Sequence, residues 1–393
     1  MRSAVIVDAV RTASAKGKAG GALSGVHPVD LLATVLEQLV ERNGLDPAQV
    51  DDVIGGCVTQ AGEQSLNITR NAVFAAGFPE SVPATTVDRQ CGSSQQAAAF
   101  AAQGVIAGSY DIVIAAGVES MSRAPMFSNT QGKDAYGERI EQRYPGGLIP
   151  QGISAEIIAS RWKLDRTALD EFAARSHQRA AAAAADGAFG REIVPVDLPD
   201  GTAFAADETI RATTTVEGLG GLSPAFAGHP AGERFAEIEW SITAGNSSPL
   251  TDGASASLIM SEEAANRLGL RPRARFHSFS VIGDDPILML TGIIPATRKV
   301  LERSGLSIDD IDAYEVNEAF APVPLAWLND LAADPERLNP RGGAIALGHA
   351  LGASGGRLLA TMLNYLEDTG GRYGLQTMCE GGGMANATVI ERL

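Results

Sequence analysis

Two related α/β halves are what this sequence predicts, and three observations predict them. Short apolar runs alternate with amphipathic or Ala-rich stretches along the chain, the pattern of strands alternating with helices. The plan of the first third returns near the end, where SGLSIDDIDAYEV from Ser304 lines up loosely with NGLDPAQVDDVIGG from Asn43. The 393 residues also exceed one ordinary core, so two or three compact units are expected.

Taken in order, Ala4–Val10 (AVIVDAV) reads as a buried strand. Pro28–Arg42 reads as a helix, because Leu31, Leu32, Val35, Leu36 and Leu39 recur at helical spacing. Val50–Gly56 and Ala84–Asp88 read as the next strands. Gly92–Ala107, rich in Ala and Gln and free of proline, is predicted helical, with Asp111–Ala116 (DIVIAA) as a central strand. From Met121 to Ser241 the texture changes to Pro, Gly and charge around one Ala-rich helix, Leu169–Ala185. Such an excursion serves either as a lid or substrate-binding insertion or as a stabilising extension. Arg273–Val281 then reads as a strand, Ala296–Ser304 as a helix, Ala313–Val316 as a strand, Gly352–Leu366 as a helix and Leu375–Met378 as a strand. The expected division is 1–120 for the first half, completed by 242–270; 121–241 for the insertion; and 271–393 for the second half.

Hydrophobic residues make up 45% and charged residues 20%, the balance of a globular enzyme rather than a disordered chain. The formal net charge of −16 opposes nucleic acid and anionic membrane surfaces, so neither is an expected partner. Cys57, Cys91 and Cys379 are odd in number and widely spaced, which suits free thiols in a reducing compartment. With no CxxC pair and five histidines, a metal site is not expected. The N-terminal stretch lacks a secretory pattern, no run of 18 apolar residues occurs, and Glu391-Arg392-Leu393 is not the usual peroxisomal tripeptide. A cytoplasmic location is therefore the expectation.

Four residues carry candidate chemistry. Cys91, in VDRQCGSSQQAAAF, falls where a strand ends and a helix begins. The helix dipole there favours thiolate over thiol, Gly92 permits a sharp turn, and the small Ser93 and Ser94 leave room for an acyl group; the alternative is a small buried residue. His349, in GGAIALGHALGASGG, sits in a glycine-rich loop where a neutral imidazole could take a proton from a thiol. His27, His177, His229 and His277 lack such surroundings and suit surface or structural roles. Cys379 opens CEGGGMA directly after a predicted strand. Its glycines expose backbone N–H groups able to hold an oxyanion, although such a run also marks an ordinary tight turn. Asn317, in EVNEAFA at a strand end, could hold a water or a carbonyl oxygen, or could cap the helix that follows.

The segments DRQCGSSQQA, TAGNSSPLTDGA, NEAFA, GGAIALGHALGASGG and CEGGGMA, in this order, resemble the signatures of the thiolase family, and the resemblance spans nearly the whole chain. It implies two similar βαβαβ-type halves packed as a five-layer α/β/α/β/α core with an inserted loop domain. It implies that Cys91 is the acylated nucleophile and His349 the base that activates it. Cys379 would exchange the proton on the α-carbon of acetyl-CoA, and Asn317 would hold a water in one oxyanion hole. The backbone N–H groups of Cys91 and Gly381 would form the other hole, with Ser248 and Phe320 lining the pantetheine channel. The reaction implied is CoA-dependent thiolytic cleavage of a 3-ketoacyl-CoA, or the reverse condensation of acetyl-CoA, by a ping-pong route. Coenzyme A is then substrate and product, no cofactor is permanently bound, and the chain assembles as a homodimer or homotetramer. Asp88, Ser94, Ala350 and Glu380 depart from the family's commoner residues, and none of them removes a reacting group. The alternatives are a ketoacyl synthase-like condensing enzyme, which usually pairs its cysteine with two histidines or with His and Asn, and a non-catalytic acyl-lipid carrier of the same fold.

Overall fold

A computed structural model describes residues 2–393. In chain order its main elements are β1 (Ala4–Thr12), α1 (Pro28–Arg42), β2 (Asp52–Gly56), α2 (Ile68–Ala75), β3 (Ala84–Val87), α3 (Ser93–Ile106), β4 (Ile112–Ser120), α4 (Gln151–Arg161), α5 (Arg166–Ala185) and β5 (Thr251–Ser261). The second half follows with β6 (Ala274–Gly283), α6 (Ile293–Ser304), β7 (Ala313–Val316), α7 (Pro322–Leu331), α8 (Ser354–Thr369), β8 (Tyr373–Glu380) and β9 (Met384–Arg392).

The strands run in the order β7-β8-β9-β6-β1-β5-β4-β2-β3. β1 and β6 meet only through the antiparallel partners Val5↔Arg275 and Ile6↔Ala274, so the path is two half-sheets joined by a short seam. Each half repeats one plan. β2 lies parallel to β4 as β7 lies parallel to β8. β4 then pairs antiparallel with β5, and β5 with β1, just as β8 pairs with β9, and β9 with β6. The similarity of the two sequence stretches also has a structural cause: each is a 3₁₀ turn (Pro47–Gln49, Ile308–Asp310) feeding a strand that pairs in parallel with β4 or β8.

Period-two alternation along β4 explains the layering. Ile112, Ile114 and Ala116 pack with Leu31, Val35, Leu36 and Leu39 of α1 on the outer face. Val113 and Ala115 face the other way, onto Ala97, Ala101, Ala102 and Val105 of α3. α8 shares that inner layer through Leu359, Leu363 and Leu366, against Ala313 and Ile390 of the second half-sheet. Val300 of α6 and Trp327 of α7 cover that sheet's outer face with Leu375 and Val389. The result is five layers, α/β/α/β/α, and strands covered on both sides are buried along almost their whole length.

β5 was not legible as a strand. Its DGASASLIMS run carries Ser and Ala where a half-buried strand would alternate Val or Ile, because both faces lie against close-packed helices; Ser255 Oγ donates to Ala353 O at 2.8 Å. α6 begins at Ile293, ahead of Pro295, since N–H groups in a helix's first turn have no intrahelical acceptor to lose. β8 runs on through Cys379 and Glu380, which pair with Ala385 and Met384, so Cys379 is a strand residue rather than the first of a turn. Within 121–241, α5 buries Leu169, Phe172 and Ala173 against the second half's outer helices. None of the described helices is long and apolar enough to cross a membrane.

The central helices cross at glycine. A Cβ on Gly355 of α8 would lie 2.8 Å from Gln95 Cβ and closer still to the Gln95 backbone nitrogen of α3, a contact real side chains do not make. Gly355→Ala is expected to destabilise the chain by about 1–3 kcal/mol through overpacking. Urea unfolding measures it as a lowered midpoint at constant slope; an unchanged midpoint contradicts the close crossing.

Candidate active site

The loops at one end of the two half-sheets bring the four chemical residues together. Cys91 follows β3 by a tight turn. Asp88 Oδ1 accepts from Gln90 N at 2.7 Å, Arg89 N donates to Ser93 Oγ at 2.9 Å, and Ser93 Oγ donates to Gln90 O at 2.6 Å. These bonds hold Gln90 at φ +48°, left-handed for a side chain that disfavours it, at a cost of roughly 1–3 kcal/mol. Cys91 is thereby delivered to the residue just before the N-cap of α3, buried among Val58, Met121, Leu351, Leu358 and Met378. Burial pushes its thiol well above the usual range, and nearby Cys379 and Glu380 push the same way. The expectation of a thiolate held by the helix start is therefore corrected. A helix terminus contributes roughly 0.3–1 kcal/mol, less than burial of a thiolate costs, so the resting sulfur is neutral.

His349 enters through Gly348, whose φ of +79° and whose approach to Thr251 Oγ1, 2.5 Å from where a Cβ would stand, both demand glycine. Thr251 Oγ1 accepts from His349 N at 2.9 Å and donates to Pro249 O at 2.8 Å, fixing the loop to the start of β5. Ser354 Oγ gives its one proton to Ala350 O at 2.8 Å and lies 2.6 Å from His349 Nδ1. Nδ1 accordingly carries the ring proton and donates, leaving the Nε2 lone pair facing Asn317 Nδ2 at 3.3 Å. Burial, helped by the Arg357 charge, pushes the imidazole down to about 3, so it is a neutral acceptor at physiological pH.

Asn317 extends the β7–β8 pairing, its N–H donating to Thr377 O at 3.1 Å. The next helix starts only at Pro322, so Asn317 is no helix cap. Burial pushes the Cys379 thiol up to about 12, with the nearby Asn317 amide acting in the opposite direction. Gly381 opens the β8–β9 turn beside Gln90, with Gln90 Oε1 3.0 Å from the point a Cβ would occupy. The Gly381 backbone thus lies next to the Cys91 turn. Ser248 and Phe320 are half-buried at a short bridge between two loops: Ser248 donates to Ala319 O from N (3.0 Å) and from Oγ (3.1 Å), and Ser247 pairs with Phe320.

Sequence reasoning missed the carboxylates that hold these loops. Glu119, fully buried at the end of β4, accepts from Val58 N, Thr59 N, Gln64 Nε2 and Gly352 N, all within 2.9–3.0 Å, and so ties the first half to the His349 loop. Glu318 accepts from Ser176 Oγ, Asn339 Nδ2 and Ile345 N, tying the Asn317 loop to α5. The only signal was an acid ending an apolar run in DIVIAAGVES and an acid inside NEAFA. The remaining histidines behave as expected, with His27 and His229 capping Val29 N and Ala231 N, and His177 accepting from Arg211 N. Among the described residues no group of three or more His, Cys, Asp or Glu gathers to hold a metal.

Comparison with known proteins points to one family. The family description "Thiolase, N-terminal domain" matches residues 4–263, and "Thiolase, C-terminal domain" matches 270–392. A steroid 3-ketoacyl-CoA thiolase of Mycobacterium tuberculosis is 49% identical, covering 100% of this chain and 95% of that one. A 3-ketoacyl-CoA thiolase of Serratia proteamaculans is 44% identical over the full length of both. The crystal structure of the Bacillus anthracis acetyl-CoA acetyltransferase superposes with a TM-score of 0.89 at 38% identity, covering 100% of this chain and 99% of that one.

The hydrogen bonds predict one ring state for His349. In nitrogen-15 histidine NMR its ring is expected as the Nδ1–H tautomer, without titration from about pH 5 to 8. Ser354→Ala should release that preference and give a mixture of tautomers. A wild-type ring that titrates near pH 6.5 contradicts the assignment.

Proposed function

The chain belongs to the thiolase family, and from that premise we propose which side chains perform its reaction and on what. The protein is an acyltransferase: it cleaves a 3-ketoacyl-CoA with CoA to give acetyl-CoA and a shortened acyl-CoA, or runs the condensation in reverse. One observation carries the assignment of residues. The Asn317 amide lies 3.3 Å from His349 Nε2 and close enough to Cys379 to act on its thiol, and Cys379 in turn acts on Cys91, so the four side chains share one buried pocket.

In the cleavage direction His349 Nε2 takes the proton of Cys91 as the sulfur attacks the 3-keto carbon. The bond between that carbon and the α-carbon breaks, leaving an acyl-Cys91 and the enolate of acetyl-CoA, which Cys379 protonates. A thiol pushed up to about 12 suits that task, because it holds its proton until a strongly basic carbon claims it. CoA thiol then attacks the acyl-Cys91, passing its proton to the Cys379 thiolate, and the departing Cys91 sulfur takes back the proton held on His349; the shortened acyl-CoA leaves, both cysteines are thiols again, and the kinetics are ping-pong. Oxyanions form on the 3-keto oxygen and on the thioester oxygen. The Cys91 and Gly381 N–H groups serve the first, and His349 with a water held by Asn317 serves the second. Each such donor contributes roughly 3–4 kcal/mol to lowering the barrier.

Coenzyme A enters as substrate and leaves as product, and no cofactor is permanently held. Ser248 and Phe320, half-buried where the Asn246–Ser248 and Asn317–Ala321 loops meet, line its pantetheine arm. Residues 121–241 form the unit that receives the acyl chain. The relative named for steroid 3-ketoacyl-CoA puts ring-bearing acyl groups beside linear ones as substrates to compare. The protein acts in the cytoplasm as a homo-oligomer. β3 ends the sheet path, and Leu66 and Phe74 near it are 87% and 48% exposed, which supports a second copy at that edge.

Cys91→Ala is expected to lower kcat for acetoacetyl-CoA thiolysis by at least ~10³-fold while leaving the fold intact, followed as loss of the 3-ketoacyl absorbance. Cys379→Ala should slow deuterium exchange at the α-carbon of acetyl-CoA far more than acylation of Cys91. Equal losses in both steps, or near-normal turnover by Cys91→Ala, would overturn the roles. Failure of the wild type to turn over linear or ring-bearing 3-ketoacyl-CoA would favour the carrier reading instead.

A further inference from the structure

Glu380 is the last residue of β8, next in sequence to Cys379, and it has no exposed surface. Among the described residues neither of its carboxyl oxygens has a hydrogen-bond partner. Its carboxyl group is pressed against Gly92, the residue after Cys91: a Cβ there would stand 2.9 Å from Glu380 Cδ and still nearer Oε1. Gly92 therefore leaves the space that this carboxyl fills.

The groups facing it are few. From the turn before α3 come Arg89 and Asp88, the first attracting a charge on Glu380 and the second repelling it. From the start of α3 comes the Cys91 thiol, and from β8 the Cys379 thiol, both of which Glu380 pushes upward. From β9 comes Asn386, whose Nδ2 donates to Gly92 O at 3.1 Å and whose Oδ1 is itself a buried acceptor without a partner. No described ion pair reaches Glu380, the nearest cation being the half-buried Arg89. A carboxylate in this place lacks both a counter-ion and donors, whereas a carboxylic acid brings the one donor that the surrounding acceptors lack.

We infer that Glu380 is a positioning residue for the reaction: as a neutral acid it keeps the region around both sulfurs free of negative charge, and its ionisation sets the alkaline limit of catalysis. The reaction passes through anions, first an incipient thiolate at Cys91, then an oxyanion and an enolate beside Cys379. A carboxylate against Gly92 raises the energy of each, and a carboxylic acid does not. Burial, with Asp88 adding to it and Arg89 opposing, pushes Glu380 up to about 8, which puts the change of state just above neutrality. This role rests on the thiolase reading, and one part of its test does not.

The test compares wild type, Glu380→Gln and Glu380→Ile. Wild-type kcat/KM for a 3-ketoacyl-CoA is expected to fall above about pH 8, and both variants should move that limb upward by about one pH unit or more, since neither can ionise. Ionisation of the CoA thiol is the same for all three proteins and cancels. Independently of turnover, iodoacetamide labelling of Cys91, read by mass spectrometry, should match in wild type and Glu380→Gln below pH 7. At pH 9 it should be about tenfold faster in Glu380→Gln, the effect of roughly one pKa unit of interaction. Superimposable kinetic limbs, or superimposable labelling, in folded proteins overturns the role of Glu380. Loss of all turnover in the wild type, with the labelling difference present, overturns the thiolase assignment of the site and leaves the electrostatic role standing.

Discussion

Desolvation at the meeting of the two half-sheets governs the rest of the molecule. The reactive loops close on one another there, and Cys91, His349, Cys379 and Asn317 all lie with less than a tenth of their surface exposed. In water a thiol, an imidazole and a carboxyl group sit within a few pH units of their charged forms. In this seam every charge must be solvated by protein, and the protein supplies few counter-charges. The sulfurs move up and the imidazole moves down, so the site rests neutral. Neutrality suits a reaction that transfers a proton at each step and whose anions are met by fixed N–H groups rather than by mobile water.

The fold exists to make that seam dry. α3 and α8 are shared by both half-sheets, and at their closest approach only Gly355 fits on α8 against Gln95 of α3. The SSQQAAAFAA and GASGG stretches are the sequence form of that constraint. The same helices begin at the site: α3 starts two residues after Cys91, and α8 starts five residues after His349. Packing density and the placement of Cys91 and His349 are therefore set together, and a change that loosens the crossing also moves both side chains.

How much of this was legible follows from where the information sits. α1, β1, β2, β4 and β7 announce themselves by their apolar pattern, because their burial is one-sided or made by large aliphatic groups. β5 does not, since Ser and Ala on both faces carry no periodic contrast. The four chemical residues were legible from their glycine-rich settings and from the family resemblance, and their convergence depends on topology that one sequence read alone states only by repetition. Glu119 and Glu318 were not legible. Each works by gathering N–H groups from loops far away in the chain, and nothing adjacent to them in sequence signals it. The resting state of Cys91 was misjudged because the helix terminus is visible in sequence and the depth of burial is not.

Buried acids sort themselves by what they touch. Glu119 and Glu318 are enclosed as deeply as Glu380, yet they accept four and three hydrogen bonds, respectively, and bind loops together. A group satisfied in this way stabilises one geometry, and its removal costs structure. Glu380 and Glu315 accept none among the described residues, and each is pushed up to about 8. An acid that makes no bond contributes nothing to the fold by staying ionised, so the place of Glu380 beside the sulfurs of Cys91 and Cys379 calls for an explanation in charge rather than in architecture. In a site whose chemistry needs a neutral start and anionic middle, a carboxyl group that holds its proton through neutrality is compatible with turnover, and one that loses it is not.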